Sequence, residues 1–156
     1  MTRQITNGDD IIDSRDVVAR IEALASEHEA LTDAVTDARE ALDAATDESR
    51  DALIANLEAA NAALNEWTSS DEQEELSSLR ALADQGESCS DWHHGEALIR
   101  DRYFTEYAQE LAEDIGAVDA HAAWPARHID WEAAADALKA DYSSIDFDGI
   151  DYWIRS

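Results

Sequence analysis

The chain has few basic residues, only five glycines, one proline and one cysteine. Eleven lysines and arginines stand against 37 aspartates and glutamates, which gives a formal net charge of −26 over 156 residues. Because contacts to phosphate require a basic surface, this balance argues against direct binding of nucleic acid and against adhesion to anionic membranes. It favours a basic protein partner, since opposite charges accelerate encounter.

The single cysteine, Cys89, cannot form a disulfide within the chain, so a reducing cytoplasm is the expected compartment. No secretory signal opens the sequence, and no apolar run approaches the roughly 18 residues of a membrane-spanning helix. These absences predict a cytoplasmic protein without a membrane anchor, acting in the host cell cytoplasm if a phage or plasmid encodes it.

Glycine and proline are also absent from residues 9–85, which favours helix there. Apolar residues recur at three- and four-residue spacing along this stretch, and Asp13 or Ser14 is the expected N-cap. Near residues 45–53 the interval between successive positions of the apolar face becomes four residues throughout. This change is compatible with two structures, one long helix or a helical hairpin. We favour the hairpin because a lone helix would leave its apolar stripe uncovered. The stripe comprises Val17, Ile21, Leu24, Leu31, Val35, Leu42, Leu53, Leu57, Ala60 and Leu64.

Three segments are expected: an N-terminal segment 1–13, an acidic helical region 14–85 and a compact domain 86–156. Ten of the eleven aromatic residues follow Gly86, so the third segment should hold the core. The fold class is mainly α (α+β), with helices followed by a small C-terminal β-hairpin.

The compact domain is expected to contain two helices and the hairpin. One helix should run from residues 94–96 to Asp114 with Ile115 inward and Gly116 as its C′ residue. Asp130 should cap another helix that extends to Tyr142. Asp148-Gly149 favours a two-residue type I′ turn. A two-stranded hairpin is marginal alone, so it is expected to pack on these helices, with Ile5-Thr6 as a candidate for an added strand.

The carboxylates form two patterns of uncompensated repulsion. On one continuous helical wheel, the acids of residues 22–58 gather opposite the apolar stripe, and the hairpin register places Asp146 opposite Asp151. Neighbouring acids on a helix are about 5–6 Å apart along the axis, near the phosphate spacing of a DNA strand. Since a cationic partner would neutralise this repulsion, we predict a partner-binding surface comprising Glu29, Asp33, Asp37, Glu40, Asp43, Asp47, Asp51, Glu58, Asp146, Asp148 and Asp151.

Metal binding and catalysis have little support in the sequence. Residues 146–149 match part of an EF-hand loop, but Ser144 and Arg155 occupy positions where that loop needs acidic ligands. Cys89 and His93-His94 lack a second ligand pair at zinc-site spacing. Because there is no phosphate-binding glycine loop, nucleophile elbow or HExxH motif, we expect no enzyme activity, no catalytic residues, no metal and no cofactor.

The C-terminal part resembles a known family. Residues 113–118 (EDIGAV) and 129–134 (IDWEAA), followed by Leu138, are similar to the C-terminal part of ArdA-type antirestriction proteins. The resemblance covers residues 96–156, and the closing helix and hairpin also resemble those of short acidic phage proteins. It implies an acidic homodimer from a plasmid, transposon or phage that imitates DNA and blocks type I restriction-modification enzymes. This chain lacks the family's longer N-terminal domains and has acidic helices instead.

Two main functions remain open. The first is a non-enzymatic DNA mimic that inhibits a host defence nuclease, either a restriction-modification enzyme or an RNA-guided effector, by occupying its DNA-binding channel. The alternative is a helical structural or adaptor protein that binds a partner through Leu24, Leu31, Leu42, Leu53 and Leu57. A halophilic acidic domain is a third explanation of the charge. An exposed apolar stripe would also support a homodimer.

Overall fold

The computed structural model describes residues 3–119, 121 and 123–156. Single 3-10 turns lie at Asp101–Tyr103, Ala126–His128 and Lys139–Asp141. The mainly α class with a C-terminal β-hairpin is confirmed. In chain order the helices and strands are β1 (Ile11–Asp13), α1 (Ser14–Asp43), α2 (Arg50–Thr68), α3 (Asp71–Gly86), β2 (Ala97–Arg100), α4 (Phe104–Asp114), α5 (Trp131–Leu138), β3 (Tyr142–Phe147) and β4 (Ile150–Arg155).

The chain divides into two compact units. The helical unit comprises Arg3 and residues 19–78 among the described positions, and the sheet unit comprises residues 4–18 and 79–156. These limits differ from the expected boundaries after residues 13 and 85. The difference arises because β1 pairs with β2, which makes the N-terminal segment part of the sheet unit.

In the helical unit, α1 and α2 form an antiparallel hairpin. α1 ends at Asp43 and α2 begins at Arg50, and Ser49 donates a side-chain hydrogen bond to the Thr46 carbonyl in the connection. His28 of α1 packs against Trp67 of α2 with ring centroids 4.7 Å apart and ring planes tilted by 42°. The two residues lie at nearly equal distances along the chain from the connection. The chain therefore reverses where the apolar spacing changes. Side chains in the connection, such as that of Ser49, form local hydrogen bonds that compete with the backbone hydrogen bonds of a helix.

The apolar stripe of this hairpin is buried unevenly. Leu24 is 1 % exposed and Leu76 of α3 is 2 % exposed, whereas Leu31, Leu42 and Leu53 are only half-buried. The first residues of α3 pack near the start of the hairpin, where Arg20 of α1 contacts Glu75 of α3. Two helices alone cannot surround their shared seam, so the stripe remains half-buried farther along.

The sheet unit contains an antiparallel sheet of strand order β1-β2-β4-β3. Leu98 and Ile99 of β2 are adjacent and both fully buried, so each face of the sheet is covered. Ile99 packs in a cluster with Phe104, Ala108 and Ala135 of α4 and α5. The helix predicted from residues 94–96 is therefore wrong at its start, because an apolar run of three residues, Ala97 to Ile99, does not distinguish a strand from a helix.

Several local predictions are confirmed. The Asp130 carboxylate accepts a hydrogen bond of 3.0 Å from the Ala133 backbone N–H and caps α5. Gly116 follows α4 with a φ of +72°. The hairpin register pairs Phe147 with Ile150 across the Asp148-Gly149 turn, with positive φ at both turn residues.

Three other predictions are wrong. The added strand is β1 rather than Ile5-Thr6, and it pairs with β2 instead of with the hairpin. Ile115 is 70 % exposed because α4 ends at Asp114, one residue before it. Tyr142 begins β3 because α5 ends at Leu138 and a 3-10 turn intervenes.

Candidate partner-binding surface

Five carboxylates form a row along α1, and we call them the acidic row: Glu29, Asp33, Asp37, Glu40 and Asp43. All five are exposed. At 100° per residue they lie on the side of the helix opposite the half-buried apolar stripe. With a rise of about 1.5 Å per residue the row extends over about 21 Å, the axial length of about six DNA base pairs.

The acidic row has no cationic partner among the described residues. The ion pairs among them include Arg15 with Asp13, Arg20 with Glu75, Arg102 with Asp10 and Lys139 with Asp101, and none involves a member of the row. Residues 19–78 hold sixteen carboxylates and three arginines, and between residues 21 and 43 the only lysine or arginine is Arg39. The repulsion expected from the sequence is therefore not offset by ion pairs in the folded chain.

The other predicted site residues do not join this row on α1. Asp47 lies in the connection between the helices, and Asp51 and Glu58 lie on α2. Treating residues 22–58 as one continuous helix puts Asp47, Asp51 and Glu58 on the same face as the acidic row. That placement is wrong because the chain reverses at residues 44–49. Asp146, Asp148 and Asp151 belong to the sheet unit. The structure therefore supports five of the eleven predicted residues as one continuous surface.

The hairpin aspartates have a local explanation that the sequence did not reveal. Asp146 faces Asp151 as expected, but its Oδ1 accepts a hydrogen bond of 3.3 Å from the Gly149 backbone N–H across the turn. The Gln85 side-chain amide binds both the backbone N–H and the carbonyl of Asp146, each at 2.9 Å. Gln85 thus satisfies backbone groups on the free edge of β3, and Asp146 closes the turn without any partner protein.

Replacing Asp151 by lysine should raise the free energy of unfolding by up to about 1 kcal/mol, because an opposite-charge pair replaces a like-charge pair. Urea denaturation followed by circular dichroism measures the change. Asp146→Lys is the matched control: it removes the same repulsion but also the acceptor of the Gly149 N–H. An equal or larger gain from Asp146→Lys would show that the turn hydrogen bond contributes nothing.

Asp101 of the sheet unit accepts hydrogen bonds from two other elements of the chain. Its Oδ1 accepts hydrogen bonds of 2.8 Å from Lys139 Nζ and of 2.8 Å from Trp153 Nε1. The hydrogen bond from Lys139, followed by that from Trp153, lowers the pKa of Asp101 below its usual value. Lys139 also lies 4.9 Å from the Trp153 ring centroid and 5.3 Å from that of Phe104. Asp101 is therefore a structural residue that joins the chain before α4 to β4.

Because the pKa of Asp101 is lowered by folding, its contribution to stability is complete above the unfolded pKa of about 3.9 and is lost as the pH falls through the folded value. Asp101→Asn should lower the free energy of unfolding at pH 7 by about 0.5–1 kcal/mol, since the pair is half-exposed and screened. The difference from wild type should shrink at pH 3. Urea denaturation at both pH values tests this, with the exposed Asp136→Asn as control; a difference that persists at pH 3 would contradict it.

Comparisons with protein-family models, with curated proteins and with solved structures find no match to this chain. Within the described ranges, no group of three or more histidine, cysteine, aspartate or glutamate side chains is placed to hold a metal ion. No helix in the same part of the chain is long and apolar enough to cross a membrane.

Proposed function

We propose that this protein is a DNA mimic that inhibits a host defence nuclease by occupying its DNA-binding channel. The observation that carries the proposal is the acidic row: five exposed carboxylates on one continuous helix, without cationic partners among the described residues. Charged helix faces usually mix both signs, whereas this row keeps one sign over about 21 Å.

Such a row suits a channel built for nucleic acid. A DNA-binding channel presents lysines and arginines at spacings that match phosphates, and a rigid helix holds its carboxylates at fixed positions before binding. Binding would therefore require no folding of the inhibitor and would exclude DNA by occupying the same cations. Long-range attraction would make association fast and sensitive to salt.

The proposed target is a basic DNA-binding or nuclease protein of the host. The resemblance of residues 96–156 to ArdA-type antirestriction proteins favours a type I restriction-modification enzyme, and an RNA-guided effector presents a similar basic channel. The inhibitor itself would need no cofactor and would act in the host cytoplasm, alone or as a homodimer.

Affinity capture from a host that carries active defence systems tests the proposal. The captured protein should be a DNA-binding nuclease, and its affinity for this chain should fall at least tenfold between 50 and 200 mM salt, as expected when several ion pairs form. Recovery of no nucleic-acid-binding protein, or binding that is insensitive to salt, would overturn the proposal.

A second candidate function is an adaptor that binds a partner helix through the apolar stripe. The half-buried Leu31, Leu42 and Leu53 favour it, because their apolar surface is incompletely covered within the described helical unit. Adaptor binding would tolerate salt and would be lost on Leu42→Glu, whereas a DNA mimic would retain inhibition.

A halophilic domain would instead fail to fold below molar salt, which circular dichroism at 50 mM salt tests directly.

A further inference from the structure

A cavity of about 240 Å³ opens in the helical unit where α1, α2 and the first turn of α3 meet. This volume is below the range of about 300–1,000 Å³ typical of small-molecule sites, and it suits a single side chain. One part of the lining is apolar or aromatic and the other is acidic. The lining residues are Glu27, Leu31, Ala63, Glu66, Trp67, Ser70 and Glu72.

Trp67 gives this cavity an aromatic wall with an unsatisfied donor. Trp67 is 6 % exposed, and its ring packs against the ring of His28. Its indole Nε1 is the buried side-chain polar atom without a hydrogen-bond partner among the described residues. Leaving such a donor unpaired costs about 1–3 kcal/mol, so a ligand that brings an acceptor to it would recover that cost.

Within the described part of the helical unit, none of the three carboxylates at the cavity forms an ion pair. Arg20 is near Glu27 and Glu72, whose charges raise its pKa after the larger effect of Glu75. Its guanidinium, however, makes two hydrogen bonds to Glu75, of 2.9 and 2.7 Å, and both side chains are largely buried. Arg20 is therefore committed to Glu75, and negative charge remains at the cavity.

Glu72 is fixed in its charged form at the start of α3. A hydrogen bond from its own backbone N–H, then one from the Ser70 side chain, and last the charge of Arg20 lower the pKa of Glu72. A carboxylate in the first turn of a helix is also stabilised by the helix dipole. Glu72 therefore contributes negative charge to the cavity at neutral pH.

We propose that this cavity binds an arginine side chain of a partner protein. The alkyl stem would pack against Leu31 and Ala63, and the guanidinium would stack on Trp67 and reach the surrounding carboxylates. A guanidinium suits this lining better than an ammonium group because it is planar, weakly hydrated and carries five donors, and the residue's backbone carbonyl supplies an acceptor. None of the cavity carboxylates belongs to the acidic row, so the site goes beyond the proposed DNA mimicry and does not depend on it.

Titration of the full-length protein with N-acetyl-arginine amide, followed by the indole N–H resonances in ¹H–¹⁵N NMR spectra, tests the proposal. The Trp67 resonance is assigned from its loss in Trp67→Phe. We expect a saturable shift of this resonance, with an affinity in the millimolar range for a single residue. N-acetyl-citrulline amide, a neutral analogue of nearly the same shape, should bind at least tenfold more weakly. Equal shifts by the two probes, or no saturable shift, would overturn the proposal.

A pair of double variants separates the cavity from general charge. Glu27→Gln with Glu66→Gln should weaken binding of the arginine probe about tenfold. Glu29→Gln with Asp33→Asn removes the same charge from the acidic row and should change binding less than twofold. Equal weakening by both pairs would show diffuse attraction rather than a site. If the first pair does not fold, the comparison of arginine with citrulline on the native protein still decides the question. If the protein does not bind a nuclease, the results expected for the arginine probe are unchanged, because the cavity does not depend on DNA mimicry.

Discussion

Replacing Asp33, Asp37 and Glu40 by lysine should abolish inhibition of the target nuclease while the helical unit stays folded. The three lysines reverse the charge at the middle of the acidic row, so attraction to a basic channel becomes repulsion. We expect a loss of affinity of at least about 100-fold, or about 3 kcal/mol. Folding should be little affected, because the lysines at positions 33 and 40 gain favourable pairs with Glu29 and Asp43, each worth a few tenths of a kcal/mol, while the three lysines repel one another as the three acids did. Nuclease assays and thermal melts measure the two effects.

A matched variant distinguishes the position of the charge from its amount. Glu106, Asp114 and Asp136 are exposed carboxylates of the sheet unit, and replacing all three by lysine changes the net charge equally. This variant should inhibit within about threefold of wild type if placement on the row decides binding. Equal loss in both variants would attribute inhibition to net charge alone. Full inhibition by the α1 variant would exclude the acidic row and favour binding through the apolar stripe.

Replacing Gly86 by alanine should lower the free energy of unfolding by about 3 kcal/mol. The added Cβ would lie 2.2–2.7 Å from three ring atoms of Trp92, which is 1 % exposed in the core of the sheet unit. Neither a rigid indole nor the helix backbone can move aside cheaply. Helix propensity alone predicts the opposite sign, since alanine in a helix is favoured over glycine by about 0.5–1 kcal/mol. Urea denaturation followed by circular dichroism measures the change.

A double-mutant cycle assigns this cost to the contact with Trp92. Trp92→Leu is itself destabilising because it leaves a cavity, but it removes the ring atoms that the new Cβ would overlap. Gly86→Ala should therefore cost at least 2 kcal/mol less in the Trp92→Leu background than in wild type, a clear departure from additivity. An equal cost in both backgrounds, or a stabilising effect of Gly86→Ala in wild type, would contradict the packing explanation.

Features that depend on neighbouring residues were predictable from the sequence. The Asp148-Gly149 turn sets the hairpin register, and Asp130 caps α5, because each uses hydrogen bonds within a few residues. Features that depend on distant residues were not. β2 is a strand because Ile11–Asp13 and β4 flank it, and Gly86 is required because Trp92 folds onto it. No local signal carries that information.

The same distinction applies to the candidate sites. The acidic row was predictable because it lies within one helix, where a rotation of 100° per residue decides which side chains share a face. The assignment of Asp51 and Glu58 to that face failed because the helical period says nothing after the chain reverses. The cavity beside Trp67 was missed because its residues come from three helices. Its one sequence signal is that Trp67 is the only aromatic residue before Gly86 apart from histidine.

Competition with DNA on the captured nuclease is the most direct test of DNA mimicry. A labelled duplex bound to the nuclease is titrated with wild-type protein and with the Asp33, Asp37 and Glu40 lysine variant at 50 and 200 mM salt. We predict that wild-type protein displaces the duplex completely and competitively, that displacement weakens at the higher salt, and that the variant displaces none. A ternary complex of nuclease, DNA and this protein, or displacement by the variant equal to that by wild type, would contradict the account.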